Sequence, residues 1–425
     1  MAGILITNAY SARNKGDAAI IEAMVRDLRR RPSFADAEIT ISSAAGPDEE
    51  GYPEAVIHSF TSLKNGLAKS PLLQQLGFLL LIYPQTLLWV AGRCFLGLDL
   101  PVWSRLRGLL RAYDAADLVL AAGGGYLYTR TPWRGSIILL SVIYGYHCAA
   151  LLGKPVYLYS QSVGPFAGRF QQWLVRRSLC GVRLVFAREE QTRRRLDRLA
   201  TGWKMPAVHS AADAAFLLDD ATAPCGLPPR TDDSLRVGLT VRRWFPDGDA
   251  QADYEEQVAR FVRQLAEEAN AEIWFLPQVT YGAAGDDDRR AARRVRTAAG
   301  DSPRLHLVEQ ELSPSEIRGF CGAMDLFVGT RMHSNIFALT VGVPALAVGY
   351  QPKTAGIMAQ LGLERFVLPI EQLTAEGLRE RFNQLLDERD EVAAALQTGI
   401  PLLRENARRA ARLIEEDFSL LGRRD

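Results

Sequence analysis

Little in this chain points to a metal, a redox centre or a nucleic acid. Only five of its 425 residues are cysteine and five are histidine. The cysteines (Cys94, Cys148, Cys180, Cys225 and Cys321) are odd in number and scattered, with no CxxC pair. That pattern argues for a reducing compartment and against a disulfide framework or a zinc site. No His/Asp/Cys cluster has metal-ligand spacing, so catalysis without a required metal is expected. The formal net charge is +1, so no global field selects nucleic acid or membrane. The loop after the first strand lacks GxGxxG and the Walker pattern, and no dinucleotide or ATP binding is read into it. The opening Met-Ala-Gly-Ile-Leu-Ile reads as a strand rather than a signal peptide, because no basic start precedes a long apolar core. A cytoplasmic location is the expectation.

One absence is local. No charged residue lies between Lys69 and Arg93, and Leu72–Val90 is dominated by leucine. The stretch is long enough to be weighed as a membrane span, but Pro84 and the glutamines Gln74, Gln75 and Gln85 argue against one. Two readings stay open. One is a buried or interface helix pair inserted at 63–111. The other is a patch over 72–93 lying in the bilayer surface, with Arg93, Arg105, Arg107 and Arg111 at its rim. The second would put the enzyme peripherally on the inner face of the cell membrane.

What is present is a long alternation of strands and helices. Ile4–Thr7, Glu38–Ser42, Asp117–Ala121, Val156–Tyr159 and Leu184–Ala187 read as strands in a first series. Leu235–Val241, Ile273–Leu276, Leu305–Val308, Leu326–Val328 and Ala345–Val348 form a second. Asp219–Ser234, rich in Asp, Pro, Thr and Gly, is the linker. The spacing predicts two doubly wound α/β domains, at 1–220 and 235–400, with a helix at 401–425. With 48% hydrophobic residues there is ample material for two cores. The acidic run at Asp286 reads as a solvated helix start.

Ligands of open parallel sheets bind beyond the carboxyl ends of the strands. Several polar loops fall there. Asn14-Lys15-Gly16-Asp17 follows the first strand, with Asp17 placed to cap the next helix. Gly123-Gly124-Gly125, Ser160–Pro165 and Arg188 follow others. In Gly329-Thr330-Arg331-Met332-His333-Ser334, a guanidinium and an imidazole meet a helix start, whose amides and partial positive charge favour an anion. Lys353 follows the next strand and should return to the same edge.

Asn14-x-Gly16-Asp17, Gly123-Gly-Gly, Gln161-Ser-Val-Gly-Pro165, Ala187-Arg188-Glu-Glu and Gly329-Thr-Arg331-Met-His333-Ser together resemble the polysaccharide pyruvyl transferase family. The resemblance runs in order from about residue 4 to about residue 365. It implies a GT-B-like fold, with two Rossmann-like domains facing across a cleft, the first on the acceptor side and the second on the donor side. It implies phosphoenolpyruvate as a co-substrate, no further cofactor, and a sugar in a cell-surface polysaccharide or its lipid-linked precursor as acceptor. The family's donor-site residues carry over onto Arg188, His333 and Lys353, with Arg331 and Ser334 beside them. Asn14, Asp17, Gly124 and Gln161 are the acceptor-side candidates, and helix capping is an equal reading for Asp17. Phosphoenolpyruvate needs several fixed cations, and ketal formation needs a proton carrier, for which His333 suits neutral pH. Two rivals share these features: a GT-B glycosyltransferase using a nucleotide sugar, and a non-catalytic anion-binding subunit of an envelope-assembly complex. The apolar insert and the helical tail each offer surface for an oligomer.

Overall fold

The computed structural model describes residues 2–47, 51–129, 131–218, 221–223, 226–230, 233–281 and 287–422. The chain forms two compact units, one of residues 1–12, 20–217 and 406–425, the other of 13–19 and 218–405. Part of the expected linker, and Cys225, lie outside the described residues. The other four cysteines are free thiols.

The first unit is built on β1 (Gly3–Ala9), β2 (Glu38–Ser43), β3 (Ala55–His58), β4 (Leu118–Ala121), β5 (Gly124–Thr129), β6 (Val156–Phe166), β7 (Leu184–Ala187) and β8 (Ala207–Ser210). Their order is β3-β2-β1-β4-β6-β7-β8, with β5 paired beside β6, and all pairs are parallel. Such strands are covered on both faces and read as continuous apolar runs; Leu118–Ala121 is buried throughout. Ser160–Pro165, expected as a loop, instead continues β6 to Phe166. The cause is pairing on both sides: Gln161 aligns with Gly124 and with Ala187, and Val163 aligns with Leu127. β3 was not foreseen; it is a short, half-buried edge strand.

The apolar insert forms helix Pro71–Gly77, a π-helical turn Phe78–Ile82 and helix Tyr83–Leu96, continuous over 26 residues. The single-turn π-bulge falls just before Pro84, whose ring and missing amide disturb regular helix bonding. Phe78, Ile82, Trp89 and Val90 join the core. The other face of this helix is turned to solvent.

The second unit holds β9 (Arg236–Leu239), β10 (Glu272–Phe275), β11 (Leu305–Leu307), β12 (Leu326–Gly329), β13 (Ala345–Gly349) and β14 (Val367–Pro369). All are parallel, in the order β11-β10-β9-β12-β13-β14. The order reverses between β9 and β12, which is where such sheets open a crevice for ligands. Ser313 starts helix Pro314–Gly322 with a reciprocal capping box to Glu316. The last helix, Arg389–Leu421, has its final turns on the first unit: Asn406 accepts from the Ala212 amide at 2.7 Å, and Asp417 pairs with Arg183 at 2.6 Å.

Candidate functional site

At the switch point of the second sheet, Thr240 follows β9 and clamps the turn after β12. Its Oγ1 accepts from the Thr330 amide at 2.8 Å and shares a hydrogen bond with Ser334 Oγ at 3.1 Å. Ser334 Oγ donates to the Arg331 carbonyl at 2.6 Å. Asn335 Nδ2 donates to the Gly329 carbonyl at 3.1 Å. Every bond in this set is local or crosses one strand, so the Gly329–Arg331 turn has little freedom. Ser334 is fully buried and serves this clamp.

Arg331 emerges from the turn as the N-cap residue of helix Met332–Thr340. Its fork grips Asp288, with Nε to Oδ2 at 2.8 Å and Nη2 to Oδ1 at 2.6 Å. The same carboxylate accepts the amides of Gln278 and Val279, each at 3.0 Å. Burial pushes the Asp288 carboxyl up, and Arg331 with the two amides offsets part of that rise. Asp288 thus corrects the reading of the acidic run as solvated: it is buried and aims Arg331. Asp287 does open helix Asp288–Ala298, accepting from the Arg289 amide, while Asp286 lies outside the described residues.

His333, half-buried, sits in the first turn of its helix, the anion-favouring end. Its imidazole packs on Gly16. A methyl group added at Gly16 would lie 2.1 Å from Nδ1 and 2.9 Å from the His333 Cβ, so only glycine fits there. The Arg13–Ala19 segment is pinned to this unit. Lys15 donates its amide to the Gln278 carbonyl at 2.9 Å, and its buried ammonium pairs with Glu311, which also accepts from Thr280 Oγ1 at 2.6 Å. Asn14 Oδ1 accepts from the Gly16 amide at 3.2 Å, and its Nδ2 donates to Asp17 at 2.6 Å. The helix begins at Lys15, so Asn14 takes the capping place expected of Asp17, which lies inside the first turn.

Arg242 and Tyr350 are further residues that sequence reasoning missed. Arg242, just past β9, lies with its guanidinium 4.4 Å from the Tyr350 ring centre, and Trp244 packs on that ring at 4.4 Å. Tyr350 follows β13 and precedes Lys353. Burial pushes the Tyr350 phenol up, but the charges of Lys353, Arg242 and Arg331 outweigh it and the net shift is downward. Three cations from the ends of three adjacent strands therefore act on one phenol. The same strand-end rule that selects Arg331 would have found Arg242, which stands in the same relation to its own strand.

The remaining candidates lie in the first unit. Arg188, buried after β7, donates from Nη1 to Asp213 at 2.8 Å and from Nε to Ser162 Oγ at 3.0 Å, with Glu189 3.4 Å from Nε. Gly124 takes φ +148°, a conformation that side chains other than glycine's disfavour. Gln161 Nε2 donates to Tyr126 Oη at 2.7 Å. Tyr146 also donates to that phenol, at 3.4 Å, and accepts from Asn8 Nδ2 at 2.9 Å. Gln161 Oε1 is buried with no hydrogen-bond partner among the described residues. The acceptor candidates thus divide: Asn14 and Asp17 stand with His333, and Gly124 and Gln161 stand at the switch point of the first sheet.

The architecture is shared with solved enzymes of GT-B fold. A UDP-GlcNAc 2-epimerase of Neisseria meningitidis superposes with a TM-score of 0.53 at 10% identity, over 98% of this chain and 99% of that one. The sucrose-phosphate synthase of Thermosynechococcus elongatus gives 0.55 at 14% identity over 100% of both. These likenesses establish a GT-B-like fold of two Rossmann-like units. In sequence, the amylovoran biosynthesis protein AmsJ of Erwinia amylovora is 24% identical over 408 residues, covering 92% of this chain and 93% of AmsJ. The family model for polysaccharide pyruvyl transferase matches residues 14–352, from the Asn14 loop to the residue before Lys353. By that match, this polysaccharide-modifying transferase belongs to the polysaccharide pyruvyl transferase family.

Proposed function

We propose that the protein transfers the enolpyruvyl group of phosphoenolpyruvate to two hydroxyls of a sugar, in a cell-surface polysaccharide or its lipid-linked precursor. The observation that carries this reading is the set of three cations, Arg242, Arg331 and Lys353, acting on Tyr350 at the edge that presents His333. Phosphoenolpyruvate brings a carboxylate and a phosphate, and forked and point cations suit both. The similarity to a protein of amylovoran biosynthesis favours a saccharide acceptor.

In the reaction, two C–O bonds form at the central carbon and the bond from that carbon to the phosphate oxygen breaks. One of the two hydroxyl protons ends on the methylene carbon, making it a methyl group; the other leaves with phosphate. His333 carries the proton, and the cations stabilise the departing phosphate. Tyr350, drawn down by its cationic neighbours, is a second proton-bearing group beside them. For Arg188 we keep the anion-binding role given by the resemblance, with Asp213 and Ser162 orienting its fork. Asp17 serves as hydroxyl anchor, and Gln161 with Gly124 as acceptor contacts.

The test is incubation of the protein with phosphoenolpyruvate and the surface glycan of its own cell, freed of ketals by mild acid. Phosphate release coupled to an acid-labile pyruvate on the glycan is the expected result, reduced ~100- to 10,000-fold in His333→Ala. Release of a nucleoside diphosphate from a nucleotide sugar instead would establish the glycosyltransferase reading. Binding of phosphoenolpyruvate without turnover on any glycan would favour the non-catalytic one.

A further inference from the structure

The helix Pro71–Leu96 is amphipathic with the wrong sense for a water-facing surface. Its inner face is built into the first unit. Phe78 meets Tyr144 edge-on at 5.6 Å, the Tyr144 hydroxyl donates to the Tyr83 carbonyl at 3.0 Å, and Trp89 Nε1 donates to Asp99 at 2.8 Å. Its outer face carries Leu72, Leu73, Leu80, Leu88, Phe95 and Leu96, which are 56–85% exposed. No charged residue interrupts that face between Lys69 and Arg93. A helix packed on a soluble domain ordinarily turns charged and polar groups outward, and contiguous exposed apolar surface marks a contact site.

The charges at the two ends indicate what covers it. Lys69 stands before the first turn and Arg93 in the last. Arg105, Arg107 and Arg111 follow on helix Ser104–Ala115. Against these five cations stand Asp99, shared by Arg107 and Arg111, and Asp114, paired with Arg93. The surplus is positive. An apolar stripe flanked by unneutralised cations fits a surface with an oily interior and anionic headgroups. A second copy of the chain fits less well, because a two-fold contact through this stripe would set like charges against each other. The helix cannot turn upright to span, since that would strip Phe78, Ile82, Trp89 and Val90 from the core.

We propose that this face docks the protein in the plane of an anionic phospholipid bilayer, with Leu80, Leu88 and Phe95 entering the acyl boundary. The experiment is flotation of the full chain with vesicles of phosphatidylglycerol and phosphatidylethanolamine, and with vesicles of neutral phosphatidylcholine. The expected result is salt-sensitive flotation with the anionic vesicles. Leu80→Asp with Leu88→Asp should lower the partition by about tenfold or more per leucine. Lys69→Glu with Arg105→Glu should remove the preference for anionic lipid. Phe95→Asp, at the most exposed of these positions, repeats the test, and an unchanged melting curve confirms folding of each variant. No flotation of the wild type, or equal flotation of the leucine variants, overturns the proposal. A dimer in solution that Leu80→Asp with Leu88→Asp dissociates, without vesicle binding, assigns the face to a second copy and also overturns it.

Discussion

Gly16→Ala is a one-carbon change that tests whether His333 is the proton carrier. The added methyl would stand 2.1 Å from Nδ1, 2.5 Å from Cγ and 2.9 Å from the Cβ of His333. Rotating the ring can relieve the first two contacts but not the third, because the Cβ is fixed by the helix backbone. Something must shift by a few tenths of an ångström or more, and the imidazole must leave its rotamer. Overpacking of this kind costs about 1–3 kcal/mol of stability. Displacing a reacting group by about 1 Å costs on the order of a hundredfold in rate. The expected variant is therefore folded, modestly less stable, and about a hundredfold slower in phosphate release from phosphoenolpyruvate with the glycan acceptor. The control is the same change in a His333→Ala background, where the ring is gone. There Gly16→Ala should cost little further activity, so the two effects should be far from additive. Wild-type activity in Gly16→Ala would refute the reasoning, as would an undiminished hundredfold cost in the His333→Ala background.

Other perturbations follow from the same contacts. Asp288→Ala leaves the buried Arg331 charge without its carboxylate, and guanidinium unfolding should show a loss of about 3–5 kcal/mol. Arg242→Lys keeps the charge but loses the planar fork stacked on Tyr350; the KM for phosphoenolpyruvate should rise roughly tenfold or more. Tyr350 gives a pH signature. Its folded phenol titrates below its ordinary value, so ionisation stabilises the fold, and that stabilisation is complete above the unfolded value and is lost as pH falls through the folded one. Denaturant curves of wild type and Tyr350→Phe should therefore diverge in favour of wild type as pH rises toward about 10.

The fold was largely legible because parallel strands announce themselves as apolar runs separated by helical periodicity. The tail, expected as a helix at 401–425, is helical from Arg389 to Leu421. What escaped depended on contacts remote in sequence. Ser160–Pro165 is polar enough to read as a loop, yet strands on both sides supply its hydrogen-bond partners. Asp288 sits in an acidic run beside a basic helix, and nothing local separates a solvated carboxylate from one buried against Arg331. Gly16 reads as a loop glycine, and only the fold brings His333 onto it. Arg242 is different. Its position just past a strand is visible in sequence, but the Tyr350 ring that marks it is remote in sequence.

Arg188 and Arg331 look alike in sequence, each following a strand, but their surroundings separate them. Arg331 pairs with Asp288 and acts, with Arg242 and Lys353, on the Tyr350 phenol. Arg188 is buried with its guanidinium on Asp213 and Ser162 and with Glu189 beside it. At an effective dielectric of about 20, one unit charge at about 4 Å is worth roughly 4 kcal/mol, so an anion reaching Arg188 competes with carboxylates already at its guanidinium. The consequence can be measured as an order of effects. Arg331→Lys and Arg242→Lys should each raise the KM for phosphoenolpyruvate more than Arg188→Lys does, while Arg188→Lys lowers stability through its buried partners. If Arg188→Lys raised the KM as much as the other two, the anion would have to displace Asp213 or Glu189 from the guanidinium, and the charge argument would fail.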